Sequence, residues 1–291
     1  MYSFGFVVLH YKTYEETRET IESILCLPRE GRDVKIIVVD NASNNGSTEK
    51  LIDDFKDIKV VSFISNKENL GFSGGNNVGF RELKKQGCDF IILSNNDIEV
   101  KSSNFYKKVE DDYEKYGFAV LGPAIENPDN GHTGCRTLPP DMKFAKGRIF
   151  RLYLKYYLGS LYSAYEKFRS KGNPGLPKEN DEAYICGWKN VTLHGCFLIF
   201  SKDYIKRFKG LAHLTFMYAE EEILFIRLMK SGLISIYDPT IRIFHKEGAA
   251  TALNGKKMTK ESFIRHIKAQ KVLVKLLKKY PFVEKIRGEK L

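Results

Sequence analysis

The chain has 291 residues, 43% of them hydrophobic and 29% charged, with a formal net charge of +11. That length supplies a sizeable core in one large α/β domain or two small ones. No apolar run approaches the roughly 20 residues of a bilayer-spanning helix, which excludes that class. The charge is uneven. Residues 143–171 carry eight Lys/Arg against one Glu, and residues 255–291 carry twelve against three acids, so the remainder nets −5. Two basic segments on a mildly acidic body favour an anionic partner, either nucleic acid or an anionic membrane surface. Five dispersed cysteines without C-x-x-C spacing point to reduced thiols in a cytosolic protein. Cys186, His194 and Cys196 lie close in sequence but match no zinc spacing.

The opening "MYSFGFVVLHYK" has neither a basic leader nor a small-residue cleavage site, and it reads as a first strand (4–10) rather than a signal peptide. Thr13 with Glu16 reads as a capping box opening a helix whose apolar face holds Ile21, Ile24 and Leu25. "VKIIVVD" (34–40) is apolar throughout, as a central parallel strand should be. Further strands are expected at "IKVVSFI" (58–64), "DFIILS" (89–94) and "FAVLGP" (118–123), with a helix after "NLGFSGGNN" running to about residue 86. Residues 124–142 read as loops. Residues 143–171 interleave basic and aromatic side chains, and 172–183 read as a polar Gly/Pro loop. Strands return at 193–201, 233–238 and 241–245, around a helix starting near Ala219, and a basic amphipathic helix spans 259–279. Strands alternating with helices predict a mostly parallel α/β sheet with flanking helices.

In such a sheet the ligand lies beyond the carboxyl ends of the strands. His10 and Tyr11 follow the first strand, Asp40 and Asn41 the second, Asn69 to Asn77 the third, and Asn95 to Asp97 the fourth. A turn explains any one of these. Four polar strand ends on one rim point to a site.

With "VVDNASNNGS", "NLGFSGGNN", "ILSNNDIEV", "FMYAEEEILFIRLMKSG" and "IFHKEG" in this order, the sequence resembles the family-2, GT-A type inverting glycosyltransferases. Within that family it is most similar to the bacterial rhamnosyl-, galactofuranosyl- and hexosyltransferase-like enzymes of surface polysaccharide synthesis. The resemblance covers residues 4 to about 250. It implies a GT-A domain over 1–250, with a nucleotide-binding half (1–123), an acceptor half (124–250) containing the basic aromatic insertion, and a basic helical tail (251–291). It implies transfer from a UDP- or dTDP-sugar to a hydroxyl of a lipid-linked glycan in capsule, exopolysaccharide or cell-wall assembly. His10 and Tyr11 would flank the base. Asp40 would accept from a pyrimidine N–H or bond a ribose hydroxyl, and Asn41, Asn69, Gly71, Gly74, Asn76 and Asn96 would complete the donor rim. Glycines opening a helix suit either close approach to the donor or tight packing.

Asp97 and Glu99 form a D-x-E, and His245 takes the place of the family's late metal-binding histidine. The three imply a site for Mn²⁺ or Mg²⁺, hard cations suited to oxygen ligands. The tyrosine–acid–acid pattern falls on Tyr218, Glu220 and Glu221, which makes Glu221 or Glu220 the general base. Trp188, His194, Gly195 and Tyr218 are candidate acceptor contacts. A polyprenyl-diphosphate acceptor and peripheral attachment at the cytoplasmic membrane face follow from the resemblance and from the basic segments. The basic aromatic segment serves equally as an interface in a homodimer. The alternative functions are a non-catalytic nucleotide or nucleic-acid binding module, or a sugar nucleotidyltransferase.

Overall fold

A computed structural model of the chain describes residues 1–128, 132–172, 181–246 and 259–291. In chain order the elements are β1 (Phe4–His10), α1 (Tyr14–Leu25), β2 (Val34–Asp40), α2 (Ser47–Phe55), β3 (Val61–Ser65), α3 (Gly71–Lys85), β4 (Phe90–Asn95), β5 (Ile98–Val100), α4 (Phe105–Tyr116) and β6 (Val120–Glu126). They continue with β7 (His132–Thr133), α5 (Met142–Gly172), α6 (Asp181–Ile185), β8 (Trp188–Lys189), β9 (Phe197–Phe200), α7 (Lys202–Arg207), α8 (Glu220–Lys230), β10 (Ser235–His245), α9 (Lys260–Lys279) and β11 (Glu289–Lys290). The Gly/Pro loop expected at 172–183 falls largely outside the described residues, as do Glu247 and Gly248 of "IFHKEG".

The sheet runs in the order β11-β8-β10-β6-β9-β4-β1-β2-β3. β1, β2, β3 and β4 are mutually parallel, and the apolar runs of β1, β2 and β4 are buried on both faces. α1, α2 and α4 cover one face, where Ile21, Leu51 and Phe105 pack on Phe6, Val8, Ile36 and Val38. α3, α7 and α8 cover the other, where Phe80, Leu83, Tyr204 and Leu224 meet Val7, Ile37, Val39 and Leu93. Burying each of these large side chains contributes about 2 kcal/mol. β3 is an edge strand without a fully buried residue, and its exposed Ser62 and Ser65 suit that place.

Three departures from the expected pattern matter for the site. β9 runs antiparallel between β4 and β6. Its start therefore lies beside the end of β4, and Asn95 N donates to Cys196 O at 2.8 Å. The two expected strands 233–238 and 241–245 are one strand, β10, parallel to β6 with an irregularity between Asp238 and Arg242. β10 thus delivers His245 to the same rim, where β5 pairs antiparallel to its end. Thr13 does not cap α1 with its side chain. Its hydroxyl accepts from Asn96 instead.

The basic aromatic segment is helical, with a break at Gly159 (φ 48°). It forms a further layer with α9, which buries Phe263, Ile267, Leu273 and Leu277 against α5 and α8. No described helix is long and apolar enough to cross a membrane.

Candidate active site

The rim divides into two stretches. The first lies at the ends of β1, β2 and β3. His10 is fully buried, with Nδ1 2.7 Å from Thr17 Oγ1 and Nε2 2.7 Å from Ser47 Oγ. Burial lowers it to about 4, so it stays neutral. Both ring nitrogens are used, which leaves His10 tying α1 to α2 with none for a nucleotide base. Tyr11 stands half-buried, with the Lys12 ammonium 5.0 Å from its ring centre. Asp40 Oδ1 accepts from Ser43 N at 3.0 Å and from Ser43 Oγ at 2.5 Å.

Asn41 is wholly occupied. Its Nδ2 donates to Asn69 Oδ1 (3.0 Å) and Gly71 O (3.2 Å), and its Oδ1 accepts from Leu70 N (3.0 Å) and Asn66 Nδ2 (3.3 Å). Asn69 Oδ1 also accepts from Gly71 N. Asn96 Nδ2 donates to Thr13 Oγ1 (2.6 Å) and Thr17 Oγ1 (2.8 Å). The glycines are matters of packing. A Cβ at Gly71 (φ +72°) would sit 2.1 Å from Phe216 O, and one at Gly74 would sit 2.8 Å from Leu70 Cβ. The loop before α8 lies directly on the start of α3. Asn77 clamps that loop, its amide bonding both Leu211 O (3.0 Å) and Leu211 N (2.6 Å). Asn76 donates to Phe72 O but keeps a buried Oδ1 without a partner.

The second stretch lies at the ends of β4, β5, β9 and β10, and here polar atoms are left over. Asp97 and His245 are both largely buried. Asp97 Oδ1 is 3.2 Å from His245 Nε2, within ion-pair reach but without hydrogen-bond geometry, and has no other partner. His245 Nδ1 is also buried and unpartnered. Buried polar atoms normally pair, so Asp97 Oδ1 and His245 Nε2, facing each other without a hydrogen bond, mark a place for a third group. Carboxylate oxygen and imidazole nitrogen are the donor set of a divalent cation. Among the described residues no cluster of three or more such ligands exists, so this pair would depend on further oxygens from a ligand or water.

Glu99 is not brought to the pair. It sits opposite Phe244 in register, whereas Ile98 sits opposite His245, so the pleat turns Glu99 to the other face. There it bonds Lys101 at 2.6 Å.

His194 links the pair to the acidic helix. Its ring centre lies 6.2 Å from that of His245, and its Nδ1 lies 4.0 Å from Glu221 Oε1. Glu221 is fastened. Oε1 accepts from Gly195 N at 2.7 Å and Oε2 pairs with Arg136. Arg136 also holds Glu222 at 2.9 Å. Glu220 differs from both. Its buried Oε1 has no partner, and burial, followed by repulsion from Glu221 and Glu222, raises it to about 7 although backbone N–H groups oppose the shift. The three acids open α8 after two residues with left-handed backbone, Tyr218 (φ 75°) and Ala219 (φ 63°). Tyr218 stacks on His266 with ring centres 4.2 Å apart, and its hydroxyl lies 2.9 Å from Ser262 Oγ.

A cavity of about 310 Å³ is lined by Glu220, Glu221, Arg136, Gly195 and Tyr218. Trp188 lies elsewhere. It pairs with Tyr237 in the first half of β10, eight residues before His245, and with Lys290 of β11. Sequence reasoning missed Arg136, an arginine in an apparently featureless loop, fixed here by a two-bond bridge to Thr192. It quoted Asn77 within a motif without giving it a task.

The family model for glycosyl transferase family 2 matches residues 6–208. A curated N-acetylglucosaminyl-diphospho-decaprenol L-rhamnosyltransferase of Mycobacterium tuberculosis is 21% identical over 230 residues, covering 76% of this chain and 69% of that protein. Among solved structures, GalNAc-T7 with UDP, GalNAc and Mn²⁺ superposes with a TM-score of 0.57 at 12% identity, over 84% of this chain but only 44% of its own. S. aureus TarS 1-349 with UDP-GlcNAc gives 0.57 at 11%, over 94% of this chain and 66% of that one. The mannosyltransferase PcManGT of Pyrobaculum calidifontis with GDP-Man and Mn²⁺ gives 0.54 at 11%, over 97% and 75%. These likenesses establish the GT-A fold. With the family model matching most of its length, the chain belongs to glycosyl transferase family 2 and is a glycosyltransferase.

Proposed function

We propose that the protein is a metal-dependent, inverting glycosyltransferase that moves a sugar from a UDP- or dTDP-sugar to a hydroxyl of a lipid-diphosphate-linked glycan. The observation that carries this reading is the Asp97–His245 pair with its unpartnered atoms, joined through His194 to the acidic start of α8. Asp97 and His245 would hold the cation, which when bound offsets the charge developing on the leaving nucleotide diphosphate. The structures of GalNAc-T7 with UDP, GalNAc and Mn²⁺ and of PcManGT with GDP-Man and Mn²⁺ support a divalent metal. The rhamnosyltransferase relative supports the lipid-linked acceptor.

The chain's own groups take the remaining tasks. Glu220 receives the proton of the acceptor hydroxyl as that oxygen attacks the anomeric carbon from the face opposite the nucleotide, which inverts that centre. A carboxylate with one oxygen left without a partner and a pKa raised to about 7 is suited to this. Glu221, held by Arg136 and Gly195 N, keeps the helix start in place and raises its neighbour by repulsion. Asp40 and Tyr11 face the nucleoside. His10, Asn41, Asn69 and Asn96 position the loops that carry these groups.

α5 turns Phe144, Phe150, Tyr157 and Leu158 to the exterior beside Lys143, Lys146 and Arg151, which supports docking at an anionic membrane surface. Nucleic-acid binding would leave Asp97, Glu220 and His245 without a task.

Calorimetric titration with UDP and dTDP, each with and without Mn²⁺, tests the reading. Mn²⁺-dependent binding of one nucleotide, lost in Asp97→Ala, is expected. Equal binding by wild type and Asp97→Ala would defeat it.

A further inference from the structure

A second cavity, of about 660 Å³, adjoins the first. Arg136, Arg148, Glu222 and Gln270 line both, so they form the throat between them. The throat itself holds two arginines, Arg136 and Arg148, against one acid, while Asp141, Glu284 and Arg287 line the second cavity beyond it. Glu222 is spent on Arg136. Asp141 accepts from Phe144 N at 2.6 Å, and Glu284 accepts from Met142 N at 2.6 Å, so both fasten the start of α5. Arg148 makes no hydrogen bond or ion pair among the described residues, although it is half-buried. Burial, reinforced by Arg148, lowers the neighbouring His266 to about 4, so the ring adds no cation at neutral pH. Gln270 is 2% exposed and makes no hydrogen bond among the described residues. The Gln270 amide and the Arg148 guanidinium reach the passage without a hydrogen-bond partner among the described residues, and both can donate to an anion rich in acceptor oxygens.

Beyond the throat one side of the wall is apolar, formed by Leu138, Pro139, Pro140, Phe144 and Leu273, and Asp141, Glu284 and Arg287 line the rest. Leu138 and Phe144 stand at its mouth, 68% and 60% exposed. From Glu220 outward the passage therefore runs from a polar cavity, past Arg148 and Gln270 in the throat, to a groove with one apolar side, opening beside the exposed face of α5.

We infer that this passage is the acceptor site, and that Arg148 and Gln270 seat the diphosphate of a prenyl-diphosphate-linked sugar. The sugar occupies the first cavity with a hydroxyl at Glu220, and the first isoprene units lie along Leu138, Phe144 and Leu273. The inference rests on the glycosyltransferase reading above and adds the residues that select the acceptor.

Titration of the full chain in EDTA tests it, because without metal the donor site does not capture a diphosphate. The probes are farnesyl diphosphate, inorganic pyrophosphate and farnesol. Farnesyl diphosphate should bind, and farnesol much more weakly. Arg148→Ala should weaken farnesyl diphosphate about tenfold or more, and Gln270→Leu, which keeps the packing volume, should weaken it several-fold. Leu138→Asp, at an exposed position, should weaken farnesyl diphosphate while leaving pyrophosphate unchanged. Absence of farnesyl diphosphate binding, farnesol binding as tightly, or indifference to Arg148→Ala would each overturn the assignment. Nucleotide titrations with Mn²⁺ on the same variants separate the two readings. Arg148→Ala should bind nucleotide as wild type does. If nucleotide binding fails everywhere while farnesyl diphosphate still depends on Arg148, the donor reading falls and the throat stands.

Discussion

The two stretches of the rim are built from the same residue types and spend them differently. At the ends of β1 to β3, His10, Asn41 and Asn69 have their polar atoms engaged by neighbouring loops and helices, although Ser73 Oγ and Asn76 Oδ1 on α3 stay buried and unpartnered, and Asn96 after β4 is tied back to Thr13 and Thr17. At the ends of β4, β5, β9 and β10, Asp97, His245 and Glu220 keep buried atoms with no hydrogen-bond partner. Leaving a buried polar group unpaired costs about 1–3 kcal/mol, and a fold that tolerates several at one place gains something from their availability. On the proposed function, satisfied groups hold the frame and orphaned groups meet a ligand. Glu221 and Glu220 show the same contrast one residue apart.

Asp97→Ala should have the largest effect. Loss of a charged ligand to the cation should reduce kcat/KM about a thousandfold and abolish Mn²⁺-dependent nucleotide binding, with the thermal midpoint unchanged or raised. A variant that keeps its Mn²⁺ dependence would end the claim that orphaned atoms mark the site. Glu220→Gln comes next, with a loss of kcat of about a hundredfold to ten-thousandfold and nucleotide affinity intact. A larger loss for Glu221→Gln would transfer the base to the fastened carboxylate. Wild-type kcat should climb with pH through about 7, because only the deprotonated Glu220 can accept a proton, and that limb should vanish in Glu220→Gln. The sign for stability is opposite. A carboxyl raised by folding binds its proton more tightly in the folded state, so its favourable contribution is present at low pH and lost as pH rises through about 7. Glu220→Gln should therefore stabilise the protein more at pH 8 than at pH 5, by up to about 3 kcal/mol.

Much of this was legible in the sequence. Unbroken apolar runs such as "VKIIVVD" mark parallel strands covered on both sides, and the polar residues after them mark the rim. Asp97, His245 and the Glu220–Glu221 pair were singled out by residue type and order, and the fold places them along one rim. Which neighbour satisfies which atom was not legible, because partners such as Asn96 and Thr17 lie 79 positions apart. The antiparallel insertion of β9 was equally hidden, since an apolar run such as "FLIF" has no direction in its composition. Arg136 gave no signal at all. Its importance comes from a bridge to Thr192 that aims it at α8. The D-x-E spacing misled at Glu99 because Asp97 lies in a turn before β5 and not on the strand.

Asn41→Ala probes the frame directly. It removes four hydrogen bonds that tie the start of α3 to β2 and should lower stability by about 3 kcal/mol, read as a shift of the urea midpoint. Asp97 lies two strands away, about 10 Å, so Mn²⁺ affinity should change less than about threefold. If metal affinity falls as steeply as stability, the two stretches are one coupled unit.

Glu99→Gln should do least, and for that reason it is the sharpest check on the geometry. Glu99 bonds Lys101 with 44% of its side chain exposed, and Lys101 lies over the Phe244 ring on the same face. An exposed pair of this kind contributes less than about 1 kcal/mol. Because Ile98, not Glu99, stands opposite His245, the carboxylate faces away from the metal pair, and no change in Mn²⁺ affinity is expected. A tenfold loss of that affinity, measured beside Asp97→Ala, would mean that Glu99 reaches the cation, that β5 turns over when metal binds, and that spacing in sequence outweighed the pleat.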